Sequence, residues 1–459
     1  KWKRVTWDEA LDFIEDAFAD VCDIIRNEYG GIGPEGVVAL SGTGRNAMWQ
    51  GAMVLRTAFG SPNMSFGFLS ADSCYQPRRT ANLLQEGDCW ILDNAQLHPD
   101  RYNNAEWVPP EVVVVWGNEP LASNADGYVG HWLVQCVQMG SRIISIDPRL
   151  TWWGARAEYW LQIRPGTDAA LGCAWLNVII SEDLYDHDFV RDWCLGFEDL
   201  ARHVERFTPA WAAQRTGLAE EAIVHVARLM GTVRPLGIVY GNGIGDQQAD
   251  GHWTCVSLCL IEAITGNLDV PGGGGAPGAT FPPLVRPHKI DLLSERLPRS
   301  AEDERLGYAA GMSRLLAPEF PRWYQKPSTW ESGPNSAYFK ALMTALTDEP
   351  IRLRAALAQS TNPLSATRQP KKVAEALRRL DLYVVHDTHW NPSCAYADYV
   401  LPACTQYECS QQFAVKNFPE GTFVAINQKI AEPPGEACSD WDFYLRLAVA
   451  MGYGADFWG

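Results

Sequence analysis

No run of apolar residues approaches the length of about eighteen that a membrane-crossing helix needs, so direct membrane insertion is not expected. Basic residues do not prevail either: 38 Lys and Arg stand against 55 Asp and Glu, a net charge of −17 spread along the chain without acidic blocks. Such a surface repels phosphate backbones, which makes nucleic acid a poor partner. The 19 tryptophans are not interleaved with a basic stripe, so they read as core and cleft lining rather than as a platform for stacking bases. Twelve cysteines are present (22, 74, 89, 136, 173, 194, 255, 259, 394, 404, 409 and 438), yet none forms a Cys-x-x-Cys pair. Zinc ribbons, redox dithiols and cluster-binding runs therefore find no support, and a disulfide framework is not expected at 459 residues. The chain opens Lys1-Trp2-Lys3-Arg4 with neither an initiator Met nor a signal-peptide pattern, and the expectation is a piece of a longer protein, with no compartment assigned.

What is present is a repeated grammar of strand, polar loop and helix. Ala10, Leu11, Ile14, Ala17, Phe18, Val21 and Ile25 recur with helical period over residues 7–26, and Thr6 with Glu9 has the form of a capping box. A short buried strand at 36–40 then leads into Ser41-Gly42-Thr43-Gly44 and a helix to about Phe59. The arrangement lets backbone approach a phosphate or a flat ring, but the third glycine of the dinucleotide fingerprint is missing, so NAD is not indicated. The grammar recurs at Val112–Trp116 before Gly117-Asn118-Glu119-Pro120, and at Arg142–Ile146 before Asp147-Pro148-Arg149. It recurs again at 161–163 before Arg164-Pro165-Gly166-Thr167-Asp168, and at Leu236–Tyr240 before Gly241-Asn242-Gly243 and Gln247. Alternation at this spacing implies parallel sheets, whose ligands bind beyond the carboxyl ends of the strands. Strand ends furnished with Asn, Asp, Thr, Gly and Arg point to a large ligand with phosphates and hydrogen-bonding rings. Residues 271–334, rich in Gly and Pro, read as a long connection; regular structure returns at 351–358, in a helix through Arg379, and in strands at 382–386 and 397–401.

Among single residues, Cys74 stands out in Ser73-Cys74-Tyr75-Gln76-Pro77-Arg78-Arg79, since neighbouring guanidiniums favour the thiolate that attacks electrophiles or binds soft metals. The commoner fate of a free cysteine is a packed small hydrophobe, and spacing alone does not decide between them. Cys255 and Cys259, four apart on an expected helix, fit a packed face better than a metal site. His386 and His389 invite a metal reading, but no third ligand accompanies them and a hydrogen-bonding loop role is preferred.

These residues together resemble the molybdopterin oxidoreductases of the dimethyl sulfoxide reductase type, which hold molybdenum or tungsten between two pterin guanine dinucleotides. The resemblance is carried by Val5-Thr6-Trp7-Asp8-Glu9-Ala10-Leu11, Trp116-Gly117-Asn118-Glu119-Pro120, Ile146-Asp147-Pro148-Arg149 and Arg164-Pro165-Gly166-Thr167-Asp168. Thr265-Gly266-Asn267-Leu268, Thr361-Asn362-Pro363-Leu364, and Ala397-Asp398-Tyr399-Val400-Leu401-Pro402 with Glu408 extend it to about residue 430. It implies that Cys74 is the metal ligand; Tyr75 and Arg78 beside it are read as assisting catalytic groups, donating a proton or a hydrogen bond, with packing against a pterin the alternative for Tyr75. It further implies that Asp168 reads a guanine edge with Asp147 near the same nucleotide, and that Gly42, Gly44, Asn118 and Asn362 lie where backbone approaches phosphate or pterin. Thr43, Arg149, Gly166, Gly241, Gly243, Gln247 and Thr388 complete the expected cofactor-binding set. Two positions depart from the formate dehydrogenases, which have His and Arg where this chain has Tyr75 and Val270, so formate oxidation loses both assisting groups.

The expected fold is α/β: two domains with parallel or mixed sheets flanked by helices. A Rossmann-like nucleotide-binding domain at 110–270 is inserted into a molybdopterin oxidoreductase domain built from 1–109 and 271–459, which carries the metal-ligand loop. The expected cofactor is bis-molybdopterin guanine dinucleotide with Mo or W. An iron–sulfur cluster is expected only in an amino-terminal domain outside this sequence, and without the flanking domains the chain is expected to be inactive and free of metal. Partners are a small-molecule substrate and an electron-transfer protein or subunit. The expected reaction is reduction of a small organic substrate such as a catechol, by reductive dehydroxylation. The alternatives are a non-redox enzyme like acetylene hydratase and a non-catalytic, cluster-carrying relative; tryptophan content alone would suggest a sugar- or aromatic-binding module.

Overall fold

The structure, a computed structural model, describes residues 2–29, 33–42, 61, 63–66, 78, 81–82, 85, 91–92, 105–123, 128–245, 251–275, 301–306, 338–349, 352–367, 369–418 and 421–454. In chain order the elements that organise it are α1 (Trp7–Tyr29), β1 (Val37–Ser41), β2 (Met64–Phe66), β3 (Ile91–Leu92), β4 (Val112–Trp116), α2 (Tyr128–Gln138), β5 (Arg142–Ile146) and β6 (Tyr159–Leu161). There follow α3 (Asp168–Ser181), α4 (Glu220–Thr232), β7 (Leu236–Tyr240), α5 (Gly251–Ile264), β8 (Gly274–Gly275), α6 (Tyr338–Thr347), β9 (Ala355–Gln359) and α7 (Pro370–Arg378). The chain closes with β10 (Leu382–Asp387), β11 (Tyr399–Pro402), the paired β12 (Gln411–Phe418) and β13 (Gly421–Asn427), and α8 (Asp440–Ala450). By contacts it divides into two units, one comprising 1–71, 281–417 and 422–459, the other 72–280 and 418–421. Among the described residues no helix is long and apolar enough to cross a membrane.

In the first unit a five-stranded sheet runs β11-β10-β9-β1-β2, every pair parallel. Strand β1 thus pairs with β9, more than three hundred residues away, in the register Val37↔Ala355 to Ser41↔Gln359. Because side chains alternate across a strand, Val37 and Ala39 face one layer and Val38 and Leu40 the other. The first layer is α1 and α8, which bury Ala10, Ile14, Phe18, Val21, Phe443, Tyr444 and Leu447 on the sheet. The second is α6 and α7, through Leu342, Ala345, Val373, Ala376 and Leu377. The N-cap half of the capping box is in place, Thr6 Oγ1 accepting from the Glu9 amide at 3.2 Å, while Glu9 Oε1 lies 3.5 Å from Lys3 Nζ, and α1 continues to Tyr29, past the expected end at Arg26.

In the second unit the sheet runs β6-β5-β4-β7, again wholly parallel. The unbroken apolar run Val112-Val113-Val114-Val115-Trp116 is what a strand covered on both faces requires. Val113 and Val115 pack on Trp132, Leu133 and Cys136 of α2. Val112, Val114 and Trp116 face the larger core of α3, α4 and α5, where Trp116 and Trp175 meet edge to face at 4.9 Å. Cys255 and Cys259 are buried in that core, the packed face their spacing suggested. Between α3 and β7 three further helices, His187–Trp193, Phe197–Val204 and Pro209–Thr216, occupy a stretch whose periodicity was not read as helical. In the middle one Phe197, Leu200 and Val204 do recur at helical spacing and pack on the second unit's core.

Candidate functional site

The second unit's sheet has a point where the chain reverses its direction of travel. From β4 it steps outward to β5 and β6, then crosses to β7 on β4's other side. The loops after β4 and β7 therefore open side by side, the place where parallel sheets take their ligands. Gly117 follows β4 with φ +55, and its amide donates to Ile146 O at 2.9 Å. The Gly241 amide donates to Trp116 O at 3.0 Å and the Gly243 amide to Gly117 O at 3.1 Å. A Cβ on Gly241 or Gly243 would stand 2.5 or 2.7 Å from that Gly117 oxygen, so these glycines let two loops interlock. The backbone that approaches them in this structure is the protein's own.

Around this junction the polar residues fall into two kinds. Asp147 Oδ1 accepts from the Arg149 amide at 2.8 Å, which turns the loop after β5. Glu119 Oε2 accepts from the Trp152 amide at 3.0 Å and so links the loops after β4 and β5, while its Oε1 is buried without a hydrogen-bond partner among the described residues. Asp168 is buried, and its Oδ1 accepts from Trp116 Nε1 at 2.7 Å. By contrast the Arg149 side chain is exposed, with no ion pair or hydrogen bond of its guanidinium among the described residues, and Asn118 lies half-buried beside it in the order of the sheet. Gly166 and Gly243 are exposed on their loops.

Arg78 is half-buried and tied into the loop after β7, donating from Nη1 to Tyr240 O at 3.0 Å and from Nη2 to Asn242 Oδ1 at 2.7 Å. Neither Asn242 nor Asn82, which accepts from the Tyr240 hydroxyl at 3.0 Å, was singled out from sequence. Asn242 could have been, as the one side chain between two glycines; Asn82 lies 158 positions from its partner and nothing local marks it.

The first unit repeats the plan with a different finish. Its point of reversal lies between β1 and β9, where a Cβ on Gly42 would stand 1.8 Å from Ser360 O. Asn362 is taken up locally, its Oδ1 accepting from Ser393 Oγ at 2.7 Å and its Nδ2 donating to Ser365 Oγ at 3.1 Å. Asp387 accepts from the His389 amide at 3.0 Å and from Asn391 Nδ2 at 3.0 Å, and Thr388 Oγ1 lies 2.8 Å from His389 Nδ1. His386 is buried with Nδ1 2.9 Å from Asp440 Oδ1, between the rings of Trp7 and Phe443. Both histidines thus hold loops and helix ends, and no group of three His, Cys, Asp or Glu able to hold a metal occurs among the described residues. The expected ligand Cys74, its neighbour Tyr75, and Thr43, Gly44 and Gln247 lie outside the described residues.

Comparison with known proteins adds to this geometry. A family profile described as molybdopterin oxidoreductase matches residues 1–450. The molybdopterin-containing subunit of thiosulfate reductase from Salmonella typhimurium is 27% identical over 99% of this chain and 55% of its own length. Acetylene hydratase from Syntrophotalea acetylenica is 28% identical over 98% of this chain and 59% of its own. Dimethyl sulfoxide reductase from Escherichia coli is 26% identical over 100% and 55%. Among solved structures, acetylene hydratase from Pelobacter acetylenicus superposes with a TM-score of 0.77 at 26% identity, covering 99% of this chain and 60% of that one. The chain thus spans a little over half the length of the curated relatives it matches.

Proposed function

Because this chain belongs to the molybdopterin oxidoreductase family, whose cofactor is bis-molybdopterin guanine dinucleotide with molybdenum or tungsten, we propose that it is the cofactor-holding central portion of an enzyme that reduces a small organic substrate, with Cys74 as the protein's ligand to the metal. The observation that carries the reading is the carboxyl edge of the β6-β5-β4-β7 sheet, where the loops after β4, β5 and β7 meet. The donor set fits a nucleotide diphosphate. The exposed Arg149 guanidinium can take phosphate oxygens through charge-assisted bonds, and Asn118 offers an amide beside it. The Asp147 carboxylate suits ribose hydroxyls or a guanine N–H edge. Asp168 would then act from beneath, through the loop it braces with Trp116. Gly42, Asn362 and Thr388 are the corresponding contacts on the first unit's own edge.

The inserted nucleotide-binding domain is taken as 110–270, of Rossmann-like plan, together with the neighbouring residues 72–109 and 271–280 that cluster with it. What supports this is a doubly wound four-strand order with helices on both faces.

When bound, the metal cofactor supplies the two-electron exchange that no side chain can. Removing a ring hydroxyl from a catechol as water takes two electrons and two protons, the electrons arriving from an electron-transfer partner. The Tyr75 phenol, adjacent to the ligand in sequence, donates a proton at the departing hydroxyl oxygen. Full-length enzyme oxidising a reduced viologen dye only when catechol is present would bear this out. The likeness to acetylene hydratase favours a second reading, addition of water to a triple bond, which consumes no electrons. Turnover of acetylene with no electron donor, and none of catechol, would install that reading in place of the first. Absence of molybdenum, tungsten and guanine nucleotide from full-length protein would leave only the non-catalytic relative.

A further inference from the structure

Arg78 does more than cap a strand end. One contact to the carbonyl of Tyr240, the last residue of β7, would satisfy that oxygen, yet the guanidinium spans to a second acceptor, the side chain of Asn242. Asn242 is exposed and sits between the two glycines that interlock with Gly117. A planar fork fixes two acceptors in one geometry, which a flexible ammonium does not. Four residues on, buried Asn82 accepts from the Tyr240 hydroxyl and donates from Nδ2 to Cys259 Sγ of α5 at 3.1 Å. Burial pushes the Tyr240 phenol well above its ordinary range, so it stays a donor. The Tyr240 ring also lies under the guanidinium, 5.8 Å from its central carbon.

We propose that Arg78 is a positioning residue: its two-armed hold on Tyr240 and Asn242 sets the Gly241–Gly243 loop against the Gly117 loop, so that the dinucleotide meets a preformed edge. The proposal rests on the reading of this edge as nucleotide-binding. It gives Arg78 a task other than proton transfer to substrate, since both terminal nitrogens are committed to protein oxygens. It also explains the order of the chain, for Arg78 follows Cys74 by four residues, so a single segment would bear the metal ligand and brace the nucleotide loop.

The test compares Arg78→Lys, Asn242→Ala and Arg149→Ala with wild type in full-length protein, by amide hydrogen exchange over residues 241–245, guanine nucleotide released on acid treatment, and the thermal unfolding midpoint. Arg78→Lys keeps the charge but cannot span both acceptors. Exchange in the loop is expected to rise about tenfold, as losing one hydrogen bond to a charged group implies, with a matching fall in bound nucleotide and a midpoint lowered by only about 2 °C. Asn242→Ala, which removes only the exposed arm, should reproduce this, and it carries the same readouts if Arg78→Lys does not fold. A lowered midpoint with unaltered loop exchange would mean simple packing and overturn the proposal. So would faster exchange with nucleotide content at the wild-type level. Arg149→Ala separates this from failure of the underlying reading: if its nucleotide content is also unchanged, the edge does not bind nucleotide at all.

Discussion

The two parallel sheets finish the same plan in opposite ways. Each reverses direction between two neighbouring strands, and each seats a glycine there because another backbone comes too close for a Cβ: Gly42 against Ser360, Gly241 and Gly243 against Gly117. Beyond that point the first unit turns its polar residues inward, Asn362 to Ser393 and Ser365, Asp387 to His389 and Asn391, His386 to Asp440. The second unit leaves an exposed arginine and a half-buried asparagine at its edge. The difference lies in what each edge leaves open. A ligand on the first unit's edge would meet backbone at Gly42 or compete with the bonds Asn362 and Thr388 already make, whereas the Arg149 guanidinium of the second is uncommitted among the described residues.

The sharpest way to break the comparison is to fill both junctions. In Gly42→Ala the new methyl meets the Ser360 oxygen just past the paired ends of β1 and β9, where the sheet's hydrogen bonds limit how far either backbone can move, and a cost of about 3 kcal/mol is expected from denaturant unfolding. In Gly243→Ala the clash with Gly117 lies on an exposed loop that can shift, so about 1 kcal/mol is expected, with loss of nucleotide content as the larger effect. Equal costs would erase the distinction. Next is His386→Leu, which strands the Asp440 carboxylate in the first unit: about 2 kcal/mol of stability should be lost while bound nucleotide per folded molecule stays at the wild-type level. Arg149→Ala should reverse that pattern, changing stability by less than about 0.5 kcal/mol while weakening nucleotide retention about tenfold in low salt, the charge-assisted contact being lost.

The smallest effect is an alkaline pH dependence, to which two buried thiols of the first unit contribute. Burial pushes the Cys438 thiol up to about 12 and the Cys404 thiol up to about 11, in both cases above the ordinary 9.0. A raised folded-state value means the folded chain holds these protons more tightly than the unfolded one. The stabilisation is therefore complete below pH 9 and declines as pH rises from about 9 toward 12. The unfolding midpoint should fall across that window, and Cys438→Ser should flatten the fall; a midpoint rising with pH there would contradict the burial of these thiols.

Much of this was legible before any coordinate. Helical period and a capping box announce α1, an unbroken apolar run announces β4 as a strand covered on both faces, and the alternation of elements announces parallel sheets. The strand-end loops were legible as positions for the same reason, because strand ends in such sheets are where ligands bind. These are local signals, written within one or two turns of chain. Their boundaries drifted where propensity is weakest: the strand expected at 161–163 lies at Tyr159–Leu161, and the one expected at 397–401 lies at Tyr399–Pro402.

Sequence by itself therefore determined the family, the α/β class and which loops end the strands. Tertiary structure decided what each loop residue does. Asp168 and Asn362 look alike in sequence as exposed acceptors at strand ends, yet one is drawn under Trp116 and the other into Ser393. Arg78 and Asn242, Tyr240 and Asn82, and β1 and β9 meet across 164, 158 and more than three hundred positions. Hydrogen bonding and steric exclusion act over a few ångströms, and no periodicity along a chain records which distant atoms will come within that range.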